Sequence, residues 1–131
     1  RGQSAVAEEH YTRAMAILSA SFGADSPPLA YPLTGRGEAL LALGKTAEAL
    51  VELERALVLR DAGSPTDLAR TRFALARALW IDEATRSRGH ALAVLAQDEL
   101  RVADPTAPEL NGIVAWLATH APGPALNRSA E

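Results

Sequence analysis

Apolar residues recur along this chain three or four positions apart, as in Leu50, Leu53, Leu57 and in Leu75, Leu79, the spacing of one face of an α-helix. Breakers interrupt the pattern at Gly23 with Pro27 and Pro28, Gly44, Gly63 with Pro65, Gly89, Pro105 with Pro108, and Pro122 with Pro124. The stretches between are rich in Ala, Leu, Arg and Glu, all good helix formers. This punctuation predicts six helices, over roughly 3–22, 27–43, 46–61, 65–81, 87–103 and 107–120. Ser26 before Pro27, Ser64 before Pro65 and Asp104 before Pro105 are the N-cap and first-turn pairs expected at helix starts, and Thr46 with Glu48 is a further start signal. No segment alternates β-branched and polar residues, so the fold class is all-α.

One small pattern occurs three times, as Ala7, Tyr11, Ala14, then Ala49, Leu53, Ala56, then Ala91, Leu95, Asp98, with 49 − 7 = 91 − 49 = 42 residues between copies. A fixed period of this size marks stacked units that cannot bury their own apolar faces alone. Gly44 and Lys45 join helices 2 and 3 so tightly that the two form an antiparallel hairpin. Helices 4 and 5 repeat it, since Leu29, Ala39, Leu40 align with Leu68, Ala78, Leu79 at a spacing of 39. Helix 1 matches only the second half of such a unit and helix 6 only the first half. Helix 6 is therefore expected to cap the stack with a polar outer face. Residues 1–121 form one repeat domain on this reading, and 122–131 a C-terminal tail.

Composition narrows the partners. A net charge of −3 and a pI near 5.6 give no basic footprint, which argues against nucleic acid. The longest apolar runs, Ala91 to Ala96 and Ile113 to Ala118, are far shorter than the roughly 20 residues that span a bilayer, so no membrane span is expected. Cysteine is absent, which removes disulfides and thiol chemistry and suits a cytoplasmic setting. Arginine outnumbers lysine twelve to one and alanine makes up roughly a fifth of the chain, a bias that GC-rich bacterial codons produce. The chain opens at Arg1 with neither an initiator Met nor a targeting pattern, as a piece of a longer polypeptide would.

The unit Gly37, Leu40, Gly44, Ala49, Leu53, Ala56 resembles the tetratricopeptide repeat, in which small residues let paired helices approach and larger ones fill the space between. The 42-residue period is similar to the kinesin-light-chain type, with Tyr11, Arg13, Ala14 followed by Phe22, Gly23, Ala24, Asp25, Ser26, Pro27. Ala78, Leu79, Trp80 and Ala115, Trp116, Leu117 resemble the repeat regions that follow serine/threonine kinase domains in myxobacteria. Asp98 at a small position, Arg36 at a Leu position and Pro32 in the second turn of helix 2 depart from the pattern. The resemblance implies a right-handed stack of antiparallel helix pairs, a non-catalytic scaffold without cofactor, whose first helices line a concave surface for a protein or peptide. Carried over position by position, that surface would hold Tyr31, Thr34, Glu38 and Leu41 on helix 2 and Arg70, Phe73, Arg77 and Trp80 on helix 4.

The four helix 4 residues are spaced three, four and three, one stripe on a helix. Guanidinium forks hold carboxylates and rings supply rigid apolar area, so the stripe suits an acidic or C-terminal peptide; pairing of the arginines with Glu38 or Asp67, and of the rings with a neighbouring helix, is the structural alternative. Regulation of an attached kinase domain, or a purely structural segment of a longer array, are the rival functions. Trp116 is expected in the core. His10, His90 and His120 lie on different helices with no i, i+4 pair to hold a metal, and Glu8, Glu9 and His10 read as a solvated helix face. Gly35, Arg36, Gly37 lack the third glycine and preceding strand of a phosphate loop, and helix packing explains them. The sequon at Asn127, Arg128 and Ser129 carries no role. Finally, Val6, Met15, Ile17, Leu18 and Phe22 cannot all be covered by helix 2; in an intact longer polypeptide preceding repeats or another domain would cover them, and in this chain alone contacts between copies through helix 1, as a two-fold homodimer, are expected.

Overall fold

A computed structural model describes residues 2–59 and 64–121 as six α-helices with no strand among them: α1 (Gly2–Phe22), α2 (Ala30–Ala42), α3 (Thr46–Leu59), α4 (Pro65–Trp80), α5 (Arg86–Ala103) and α6 (Pro108–Thr119). Gly63, the last two positions expected of helix 3, and the tail with Pro122, Pro124 and the sequon lie outside the described residues.

Local chemistry accounts for most boundaries. The Ser64 hydroxyl accepts the Asp67 amide at 3.1 Å, capping α4 with Pro65 in its first turn. Ser26 behaves differently: its hydroxyl donates to the Gly23 carbonyl, and Pro27–Leu29 form a 3-10 turn, so α2 begins three residues later than expected. That shift places Pro32 in the first turn of α2, where a missing amide costs nothing. Asp104 likewise ends α5 instead of opening α6; its carboxylate accepts the Thr106 amide at 3.3 Å, and α6 begins at Pro108. Gly44 takes a left-handed φ of +81°, and the Lys45 and Gly44 amides donate to the Leu40 and Leu41 carbonyls, the 6→1 and 5→2 pair that turns the chain sharply into α3.

The helices form two rows. α2, α4 and α6 make an inner row whose neighbours touch one another, α2 against α4 and α4 against α6. α1, α3 and α5 make an outer row that packs onto the inner one, with α5 also reaching α3 through the Arg88–Glu54 ion pair. This is the arrangement of a tetratricopeptide-repeat-like α-solenoid, with its closely spaced row on the inside of the curve. The core runs along the seam between rows, with Leu40, Leu53, Leu75 and Leu79 at its centre, Leu29, Leu33 and Ala56 towards α1, and Ala96, Leu100, Leu110 and Ile113 towards α6. Close approach demands small residues at the seam: a Cβ on Gly37 would lie 2.5 Å from the Leu53 side chain, and one on Gly89 would lie 2.8 Å from the Ala76 carbonyl oxygen.

The register of the third copy differs from the one the sequence suggests. Ala91, Leu95 and Asp98 are exposed, and the buried residues of α5 are Gly89, Ala93, Ala96 and Leu100. Compared with the buried Ala49, Glu52 and Ala56 of α3, the spacing is 93 − 49 = 96 − 52 = 100 − 56 = 44. The connection from α4 to α5 carries an extra 3-10 turn at Glu83–Thr85, which delays α5 by two residues. Asp98 therefore needs no small neighbour. The inner row keeps a strict 39, as Pro32, Thr71, Leu110 and Gly35, Ala74, Ile113 show, all buried.

Arg36 shows how a charge is accommodated at an apolar seam. It pairs with the buried Glu52 of α3 and lies 3.6 Å from Glu8 of α1, tying three helices together. At the corresponding places one unit later stand Leu75 and Ala96, an apolar pair.

Candidate functional site

The inner row presents one connected band of polar and aromatic side chains, built from six of the eight residues expected there, with Tyr11, Trp116, His120 and Arg86 added to it. At its start, Tyr11 of α1 lies edge-to-face on Tyr31 of α2, ring centroids 5.9 Å apart. The Tyr11 hydroxyl, with burial assisting, pushes the Tyr31 phenol above its usual pKa. The Arg70 guanidinium sits 5.8 Å from the Tyr31 ring centre and grips Glu38 with both arms, Nη2 to Oε1 at 2.6 Å and Nε to Oε2 at 3.2 Å. That two-pronged hydrogen bond holds Arg70 firmly protonated.

Arg77, two turns of α4 onward, is placed less favourably. Its Nη2 is 3.7 Å from the carboxylate already committed to Arg70, beyond hydrogen-bond reach. Its Nε is buried with no acceptor, and its guanidinium lies 4.8 Å from the Phe73 ring centre. Desolvation lowers its pKa, the nearby Arg70 charge adds to this, and Glu38 only partly offsets it. Two guanidiniums thus share one carboxylate, and the band carries an uncompensated positive charge at Arg77.

Beyond Arg77 stands an aromatic wall. Phe73 and Trp80 of α4 both meet Trp116 of α6 edge-to-face, at 5.8 and 5.5 Å, and His120 stacks flat on Trp116 at 4.2 Å. Arg86 lies 5.3 Å from the Trp80 ring centre and donates to the Trp80 carbonyl at 2.7 Å. Trp116 is accordingly half-buried in this wall and not a core residue; its ring is held from the side by α4 while one face rests on His120. The rings of Phe73 and Trp80 pack on a neighbouring helix and remain half-exposed.

Thr34 and Leu41 are not on the band. Thr34 has no exposed surface; the 39-residue register sets it beneath α4, where its hydroxyl shares a hydrogen bond with Thr71 at 2.8 Å. Leu41 is half-buried against the Leu40, Leu53 and Leu79 cluster. The counterpart of Thr34 in the next unit, Phe73, is more exposed, and that of Leu41, Trp80, is half-buried as Leu41 is. The contributions of Tyr11, Trp116 and His120 come from packing between units, and the only sequence signal was that each lies on a helix adjacent to the band.

Among the described residues no cluster of three His, Asp or Glu side chains has metal-binding geometry, and no helix is long and apolar enough to cross a membrane. A separate open cleft of about 260 Å³ lies between α1 and α2, lined by Gln3, Ser4, Ala7, Tyr11, Gly35, Glu38, Ala39 and Ala42. Residues 1–62 match the tetratricopeptide repeat. The match spans α1, α2 and α3, and the same two-row packing continues through the repeat-like α4, α5 and α6. No curated protein and no solved structure matches the chain. The tetratricopeptide repeat mediates protein–protein contacts as a family, and the kinesin-light-chain and kinase-tail likenesses rest on the residues quoted for them alone.

Proposed function

We propose that this chain is a non-catalytic interaction scaffold that receives a peptide along the inner row, an acidic group of the peptide meeting Arg77 and an adjacent apolar side chain meeting Phe73, Trp80 and Trp116. The observation that carries this reading is the charge imbalance at Glu38. A carboxylate brought to Arg77 would satisfy the buried Nε–H and supply the counter-ion that Glu38 gives mainly to Arg70. Half-exposed rings beside it offer rigid area whose burial adds affinity at little entropic cost. The chain's two tryptophans both stand in the wall, so occupancy reads directly in their emission. Titration with an array of short peptides, varying in acidic and aliphatic content, should shift that emission only when an acidic residue neighbours an aliphatic one. Arg77→Met should remove the response. A response indifferent to acid content would dispose of the reading.

A further inference from the structure

Arg77 stands at the centre of a column that the inner-row register draws from Glu38 on α2 through Arg77 on α4 to Trp116 on α6, since 77 − 38 = 116 − 77 = 39. Arg70 leaves the same face of α4 two turns earlier, and both guanidiniums turn to a single carboxylate. Glu38 Oε1 and Oε2 accept from Arg70 at 2.6 and 3.2 Å, and Oε2 lies 3.7 Å from Arg77 Nη2. Glu109 of α6, which follows Arg70 by the same 39 residues, is exposed and pairs with neither arginine. The cluster therefore holds two positive charges and one negative, and its sum is a single positive charge.

Two arginines converging on one point are an arrangement suited to a phosphoryl group, because each guanidinium fork matches two of its oxygens. Here the point is taken by the protein's own carboxylate. Glu38 is held there with both oxygens on Arg70, its side chain is only 26% exposed, and the Tyr11 hydroxyl and Tyr31 ring close on Arg70 from the other side. A phosphoryl group, with close to two negative charges, would have to displace Glu38 and strand that carboxylate without a cation, or lie beside it and be repelled. A single carboxylate needs neither. It meets the free edge of Arg77, where the buried Nε–H has no acceptor, and brings the cluster to neutrality. We infer that Glu38 is the specificity-determining residue of the inner row: it sets the site for peptides whose acid is the carboxylate of Asp or Glu and turns away the same peptides carrying phosphoserine. Such selection works by a repulsive element as much as by an attractive one. Although it rests on the peptide reading above for its ligand, the selection has its source in the protein's own charges, so inorganic phosphate alone can probe it.

Calorimetric titration with inorganic phosphate, at neutral pH and constant ionic strength, should show Glu38→Ala binding it at least about tenfold more tightly than the wild-type chain, because the point between the two guanidiniums is vacated. Adding Arg77→Met to Glu38→Ala should remove that gain. Circular dichroism melts check that each variant folds, and Glu38→Gln, which keeps the volume and removes only the charge, replaces Glu38→Ala if that one does not. The second arm uses the strongest responder of the peptide array and the same peptide with phosphoserine in place of its acidic residue. The wild-type chain should prefer the carboxylate peptide by about tenfold, and Glu38→Gln should lose or reverse the preference. Phosphate bound equally by the wild-type chain and the Glu38 variant, or by neither, would overturn the inference, as would a wild-type chain that takes both peptides alike. An array in which no peptide moves the tryptophan emission would end the peptide reading, while the phosphate titration would still decide whether Glu38 excludes a dianion.

Discussion

Replacing Arg77 by Met should stabilise the protein slightly while removing its affinity for acidic peptides. In the native chain the Nε–H is buried without an acceptor, a situation that costs about 1–3 kcal/mol for a fully buried group. The side chain is 36% exposed, so water relieves part of this and about 1 kcal/mol remains. Against it stand a cation–π contact with Phe73 of about 0.5–1 kcal/mol and an ion pair at 3.7 Å of about 0–1 kcal/mol. Met keeps most of the volume and regains a sulfur–aromatic contact of about 0.3–1.5 kcal/mol with Phe73. Taken at their midpoints these contributions sum to about +0.7 kcal/mol. Arg70→Met removes a two-pronged bond to Glu38 and should cost about 1–2 kcal/mol after allowing for its partial exposure. Thermal melts should therefore separate the two variants by about 1–3 kcal/mol, roughly 3–10 °C for a chain of this size. A tenfold or greater loss of peptide affinity should accompany the more stable variant. Equal destabilisation by both would mean that Arg77 is a structural ion-pair member and would refute the reasoning.

Gly89→Ala and Gly112→Ala make the same change with opposite results: the first meets the Ala76 carbonyl and should lower the melting temperature, while the second meets only Phe73 at 4.0 Å and should raise stability by about 1 kcal/mol. Thr71→Val should cost about 1–2 kcal/mol by stranding the buried Thr34 hydroxyl, Thr34→Val less because the Thr71 hydroxyl still donates to the Asp67 carbonyl at 3.2 Å, and the double variant less than the sum, measured by a urea double-mutant cycle. Leu53→Ala, at the centre of the seam, should cost about 2–5 kcal/mol in the same assay. Trp80→Ala should cost about 1–2 kcal/mol, below the roughly 3–5 kcal/mol of a fully buried aromatic, because its ring leans on Trp116 yet stays half-exposed.

Helix identity was legible in the sequence because it is written locally: Ser64 with Pro65 and Gly44 with Lys45 carry their own capping chemistry. Ser26 and Asp104 misled by a few residues, since a short polar side chain before proline serves a 3-10 or Asx turn as well as an N-cap. The third repeat copy was misread for a different reason. A 42-residue match in letters, Ala91 and Leu95, competed with a 44-residue match in burial, Ala93 and Ala96, and only the length of the α4–α5 connection decides between them. Tyr31, Glu38, Arg70, Phe73, Arg77 and Trp80 lie together on the band as expected because they share stripes of single helices. Thr34 was misplaced, and Trp116 and His120 were missed, because their surroundings depend on how far one unit overlaps the next.

The uneven contact between rows also fixes how the molecule deforms. Inner-row helices brace one another through Thr34 and Thr71 and through Phe73 and Trp116, whereas α3 and α5 of the outer row are joined by a solvent-exposed ion pair, Arg88 gripping Glu54 at 2.7 and 3.0 Å. Bending that spreads the outer row strains one exposed ion pair, a contact worth about 0–1 kcal/mol, but bending that spreads the inner row must break buried hydrogen bonds and ring contacts. The chain is therefore a spring with a soft direction and a stiff one: its curvature can tighten around a guest at little elastic cost, and it resists being straightened.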